Sequence, residues 1–180
     1  MLSTRWMGWV VVLGCVVGMG AVSVGAGEHH PVATKGSAEL ERVKTLAGKW
    51  QGTSKTGDGP SEPAIIEYKV TSGGSAVVET LFAGTPNEMV SVYHDHNGKL
   101  AMTHYCMLHN QPQLDLVNAD AHQLSFSLGK ESDIDGAHDQ HMHALSLNWK
   151  DPNHFTQVWT CYKDGKPSAA TTTVTVSRVR

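Results

Sequence analysis

Residues 89–112 read MVSVYHDHNGKLAMTHYCMLHNQP. Two runs of alternating β-forming residues flank Asn97-Gly98, the dipeptide that most strongly marks a tight hairpin. Four of the chain's eleven histidines fall in this stretch, together with Cys106. Groups able to hold a metal, a haem or a hydrogen-bonding ligand thus alternate with side chains suited to a core.

Outward from this hairpin the same period-two pattern continues. It predicts ten strands, at 49–55, 64–71, 75–82, 89–95, 99–108, 113–117, 123–128, 141–149, 154–162 and 169–179. The separators carry turn chemistry: Gly57-Asp58-Gly59-Pro60, Ser72-Gly73-Gly74, Asp151-Pro152-Asn153 and Asp164-Gly165-Lys166-Pro167. Short strands at this spacing imply an all-β, antiparallel up-and-down barrel or sandwich. Residues 130–140 form a longer polar loop at one end.

Only 37–47 reads as helix. Ser37 is suited to N-cap it, Glu39 and Glu41 to its first turn, and Leu40, Val43 and Leu46 share a face. The expected organisation is a leader at 1–26, a flexible linker at 27–36 and a single barrel domain at 37–180. Arg5, an apolar run and the small residues before Ala26 match a cleaved export signal. Alternative readings of the run are a membrane anchor or a lipoprotein acylated at Cys15. Export implies a periplasmic or secreted protein with no stable membrane insertion once the leader is removed. Cleavage after Ala26 would leave Gly27-Glu28-His29, a sequence able to wrap Cu(II) or Ni(II) in a square plane, or simply a loose tail.

The net charge of −3 shows no basic patch for nucleic acid. Cys106 and Cys161 are the cysteines beyond the leader, and export permits a bridge between them.

Strand parity selects the side chains expected to point inward. A three-residue loop at 96–98 places Val90, Val92 and His94 inside with Leu100, Met102, His104 and Cys106. On later strands His141 and His143 fall with Leu145, Leu147 and Trp149, and Phe155, Gln157, Trp159 and Cys161 share a face. Glu79 is expected inward with Val77 and Leu81. The expected ligand-binding set is therefore His94, Met102, His104, Cys106, His141, His143, Phe155, Gln157 and Trp159. His141 and His143, two apart on one strand, also suggest two ligands of a Zn or Cu site, with Cys161 as a third. His104 and Cys106 do not suggest a nucleophile dyad, because same-face neighbours on a strand are about 6.6–6.8 Å apart. No complete catalytic signature is present.

The segment LAGKWQG at 46–52, after a short helix and before a run of strands, resembles the opening of calycin-type barrels: lipocalins, fatty-acid-binding proteins and nitrobindin-like haem barrels. Gly48 and Trp50 match their Gly-x-Trp, whose Trp closes one barrel end. The segments SAVVETLFAGTPNEMVSVYH, THYCMLHNQP and HMHALSLNW resemble an uncharacterised family of bacterial, often exported proteins with lipocalin-like barrels. These resemblances imply a calycin-like fold and no settled activity. Nitrobindin-like barrels hold haem through a late-strand histidine, a role that maps onto no single residue among His141, His143 and His154.

The sequence thus predicts an exported barrel holding a small apolar molecule or haem in a histidine-containing lumen. Two alternatives are a periplasmic Zn or Cu binder and a hydrolase or isomerase using Glu79 with a lumen histidine.

Overall fold

The computed structural model describes residues 35–180. The leader, most of the linker and the Gly27-Glu28-His29 motif lie outside the described residues.

Helix α1 (Ala38–Lys44) is capped by Ser37, whose hydroxyl accepts from Leu40 N at 3.1 Å. Strands follow as β1 (Gly48–Thr56), β2 (Ser61–Thr71), β3 (Ala76–Leu81), β4 (Met89–His96), β5 (Lys99–Tyr105), β6 (Gln113–Ala119), β7 (Gln123–Leu128), β8 (His141–Asp151) and β9 (His154–Lys163). The two-residue β10 (Lys166–Pro167) and then β11 (Thr172–Arg178) complete the set. Each strand from β1 to β9 pairs antiparallel with its successor, and β11 lies between β9 and β1. Ten strands therefore close into an up-and-down barrel, with β10 appended to β9. Among the described residues, closure leaves no long unpaired edge.

One barrel end is plugged. Leu40, Val43 and Leu46 of the α1 region are buried against Trp50, itself fully buried. The indole Nε1 donates to Leu46 O at 2.7 Å. The Arg178 guanidinium lies 4.2 Å over the Trp50 ring and donates to the Ala47 and Thr45 carbonyls at 2.8 and 2.7 Å. The last strand thereby satisfies carbonyls that the helix end leaves open. Gly52 lets β1 pass close to β11, since a Cβ there would meet Thr175 O at 1.9 Å. Phe155 packs edge-on to Trp50 at 4.7 Å, and Tyr93 against Phe126 at 5.9 Å. Among the described residues, no helix is long and apolar enough to cross a membrane.

Two local features correct the expected parity. The β4–β5 turn has two residues rather than three, with Asn97 and Gly98 both left-handed at φ 50° and 77°. Tyr93 therefore faces Met102, and the inward row of β4 is Ser91 and Tyr93, both fully buried. Val90, Val92 and His94 point to the outer face. The apolar valines misled the parity argument because the inward positions are occupied by groups that serve a buried carboxylate and a buried imidazole.

The second feature is a β-bulge at His143. Met142 pairs with Cys161 and Ala144 with Thr160, so His143 has no partner on β9. An extra residue reverses parity beyond it. Leu145 and Leu147 face inward, as expected, but His141 and His143 lie on the outer side of the sheet with Tyr162, where His141 is still fully buried, and Met142 turns in.

Candidate functional site

The end opposite α1 is open. It gathers the last residues of β1, β3, β5, β7, β9 and the first of β2, β4, β6, β8 and β11. A cavity of about 290 Å³ opens there, walled chiefly by His104, Trp159, Phe82, Met89, Met107 and Met142. The volume sits at the small end of the range typical of small-molecule pockets. A larger groove of about 440 Å³ runs outside the barrel between β5, β6 and Lys130-Glu131, with His96, Lys99 and Asp115 on its walls. Charged side chains share its walls with Leu100, Leu116 and Leu128, whereas the mouth leads to a buried polar group.

That group is His104, 1% exposed. Its Nδ1 lies 3.0 Å from Ser91 Oγ, and its ring packs 4.7 Å from the Trp159 ring. Its Nε2 is buried without a hydrogen-bond partner. An orphaned buried polar atom costs roughly 1–3 kcal/mol, so such atoms are rare. Burial pushes the His104 pKa down to about 4, which keeps the ring neutral near pH 7.

Below His104 runs a row of directly opposed residues across four strands. Tyr68 of β2 faces Glu79 of β3, Glu79 faces Ser91 of β4, and Ser91 faces His104 of β5. Glu79 is fully buried. Tyr68 and Tyr93 donate to its two oxygens at 2.6 and 3.0 Å. Gln157 donates to Glu79 and, at 2.8 Å, to the Tyr68 oxygen. Trp159 Nε1 donates to Gln157 Oε1 at 2.9 Å, which fixes the amide orientation. Ser91 lies opposite Glu79 in the strand register, with its hydroxyl on His104 Nδ1. Burial drives the Glu79 pKa above the ordinary carboxylate value while Tyr68, Gln157 and Tyr93 hold it down, and burial raises both tyrosines far above theirs.

The residues singled out from sequence divide accordingly. His104 and Trp159 wall the mouth and Gln157 lies beneath it. Met102 and Phe155 are inside the barrel but locked in its packed core. Cys106 follows β5, half-buried, with burial raising its thiol pKa, as expected of an inert cysteine. Cys106 and Cys161 are both free. His94 is outside, opposite Ala101.

His141 and His143 do not reach the lumen. His141 Nε2 lies 3.0 Å from His143 Nδ1, and His141 Nδ1 lies 2.9 Å from Asp139 O. Tyr162 stacks on His143 at 3.7 Å, and Ser127 Oγ is 3.5 Å from its Nε2. The rings thus satisfy one another and neighbouring protein groups. Cys161 sits across from Met142, on the opposite side of the sheet, so the expected trio His141, His143 and Cys161 does not converge. Among the described residues, no three His, Cys, Asp or Glu side chains are grouped to hold a metal ion.

Sequence reasoning missed Ser91, Tyr68, Tyr93 and the three methionines of the mouth. A signal did exist for the first: Ser91 and Tyr93 share parity with Asp95, and Glu79 on the preceding strand needs donors.

No protein-family model matches the chain, and no curated protein is significantly similar in sequence. Solved structures do resemble it. A protein of unknown function from the DUF3598 family of Nostoc punctiforme superposes with a TM-score of 0.55 at 15% identity over 84% of this chain. The match spans 53% of that protein, about half its length. Rv2717c of M. tuberculosis superposes with a TM-score of 0.52 at 11% identity, over 81% of this chain and 100% of its own. At these identities the likeness speaks for the barrel fold alone.

Proposed function

We propose that the protein is a binding barrel that takes a small, largely apolar molecule into its open mouth, with His104 as the polar anchor. The observation that carries this reading is the buried Nε2 of His104, the imidazole nitrogen beside the cavity that no protein group pairs. Apolar walls with a few placed polar groups are the usual composition of such sites. Trp159, Phe82, Met89 and Met142 supply the walls, and methionines adapt to guests of varied shape. The reading also keeps the exported, periplasmic or secreted setting expected from the leader.

A panel of neutral one-ring and two-ring aromatic compounds, followed by amide shift changes in ¹⁵N-labelled protein, tests it. Saturable shifts are expected around Met89, His104, Met142 and Trp159. Shifts confined to the plugged end, or none across the panel, defeat the reading.

A second reading, haem as the guest, rests on the same free nitrogen, which is suited to axial ligation. Haem would use His104 rather than His141 or His143. A haem titration should then give a Soret shift that His104→Ala abolishes and His143→Ala leaves intact. An unchanged spectrum removes haem and leaves the colourless guest.

A further inference from the structure

The mouth carries sulfur as well as a free nitrogen. Met89, Met107 and Met142 wall the same cavity as His104. Strand register sets where they stand. Ser91 faces His104, and Met89 is the next inward residue of β4 toward the opening. Leu145 faces Trp159, and Met142 faces Cys161 one inward step farther out. One such step on a strand is about 6.6–6.8 Å, so a flexible thioether on the outer level and the imidazole on the inner one can converge on a point between them. The His104 and Trp159 rings meet inside the barrel at 4.7 Å. Thioethers therefore stand above that contact on both sides, Met89 beyond His104 and Met142 beyond Trp159. Met107 joins them from the turn after β5.

We infer that the mouth is a site for one soft monovalent metal ion, Cu(I), held by His104 Nε2 and the thioethers of Met89 and Met142, with Met107 closing over it from the rim. The inference goes beyond the receptor reading. It uses the same cavity but needs no organic guest.

Thioether sulfur is a soft donor that favours Cu(I), whereas Mg(II), Ca(II) and Mn(II) take oxygen. Among the described residues no three His, Cys, Asp or Glu side chains come together, so a harder ion lacks its ligands. The nitrogen is supplied by His104, 1% exposed, whose Nε2 has no protein partner. Its Nδ1 lies 3.0 Å from Ser91 Oγ. A hydroxyl both gives and accepts, so Ser91 supports the ligating tautomer, with the proton on Nδ1, whichever form rests there without an ion. Among the described residues walling the cavity, Glu62 alone is charged, and its carboxylate favours entry of a cation. The Trp159 ring borders the same space and adds an aromatic surface that attracts cations. Cys161, opposite Met142, and Cys106, next to Met107, are the rival source of sulfur, and the experiment separates them from the thioethers.

Full-length protein is titrated anaerobically with Cu(I) in competition with bicinchoninate, and methionine-methyl ¹³C and imidazole ¹⁵N shifts are read on the same samples. One equivalent should be taken up, with shifts at the methyls of Met89 and Met142 and at His104 Nε2. Met89→Leu combined with Met142→Leu keeps the volume of the wall and removes the sulfur. This variant should bind Cu(I) about tenfold or more weakly, since even an outer partner of a metal ligand is worth that much. Its unfolding midpoint should stay close to that of the unaltered protein. Cys106→Ser combined with Cys161→Ser should bind Cu(I) undiminished. Uptake that leaves the mouth methyls unmoved, full affinity in the double leucine variant, or lost affinity in the double serine variant overturns the inference, as does no uptake at all. Zn(II) bound as tightly at the same methyls overturns the soft-ion assignment. In parallel, 4-methylphenol, one member of the neutral aromatic panel, is titrated without copper. Its binding in a protein that takes no copper removes this inference alone. Specific copper uptake with no response across the panel removes the receptor reading and upholds the metal site.

Discussion

The two ends of the barrel are made from the same ten strands and finished in opposite ways. At the plugged end, Trp50 has its ring faced by Phe155 and Arg178 and its one donor taken by Leu46 O. At the mouth, Trp159 has its donor taken by Gln157, but its ring and that of His104 border empty space. Packing alone would have filled both ends alike. Each end holds a buried nitrogen without a partner, Trp149 Nε1 beneath the Arg42 stack at the plug and His104 Nε2 at the mouth, and the difference teaches that the mouth sets its orphan on a residue that walls a cavity.

The largest expected effect tests this asymmetry directly. Trp50→Ala should cost about 4 kcal/mol in chemical denaturation, the upper range for deleting a packed aromatic, because it also frees Leu46 O and the Arg178 stack. Trp159→Ala should cost less, about 3 kcal/mol, the lower end of that range, since its buried ring borders a cavity. Equal losses would mean that the mouth is ordinary core and that the contrast is false.

Acid sharpens the contrast next. The His104 pKa is about 4 in the folded chain against an ordinary value of 6.5. Between these values the unfolded chain binds the additional proton and the folded chain resists it. Stability from this group is therefore full above pH 6.5 and is lost as pH falls toward 4, by on the order of 3 kcal/mol. Glu79 has the opposite sign. Its folded pKa is raised, so the native chain holds that proton more readily and loses stability as pH rises through the window above 4.5. The acid slope should be visible in unfolding midpoints between pH 7.5 and 4.5 and should flatten in His104→Leu. A slope that survives the substitution would assign the acid sensitivity to other groups.

The barrel itself was legible in the sequence. The ten strand runs and the helix around Leu40, Val43 and Leu46 follow from periodicity and turn residues, the plugging role of Trp50 from the resemblance of its Gly-x-Trp to calycin-type barrels, and strands matched their expected positions to within a few residues. The site was only half legible, because site membership depends on parity, and parity depends on single residues. The Asn97-Gly98 turn lacks the third residue assumed for it, which moved His94 out and Ser91 in. The bulge at His143 carries no Gly or Pro to announce it, and it moved two histidines to the outer face. Residues on regular stretches, His104, Gln157 and Trp159, were placed inward from sequence and lie inward. Alternation is dependable between irregularities and uninformative across them.

The smallest expected effect isolates the plug from the mouth. Ser37 donates from its backbone N and its hydroxyl to Asp95, both at 2.6 Å, while its hydroxyl accepts from Leu40 N. Ser37→Ala removes the cap and one of the two links to Asp95. A loss of about 1 kcal/mol is expected, typical for an N-cap serine. The plugged end lies a barrel length from His104, and the rows of Trp50, Phe155, Tyr93 and Phe126 that separate them are already packed. Distant sites without shared partners add independently. Affinity of 4-methylphenol for the mouth should therefore be unchanged in Ser37→Ala, even as the denaturation midpoint drops. A change in affinity of several fold would show that the plug and the mouth are coupled through the core, and that the barrel acts as one body rather than as a sealed base carrying an independent opening.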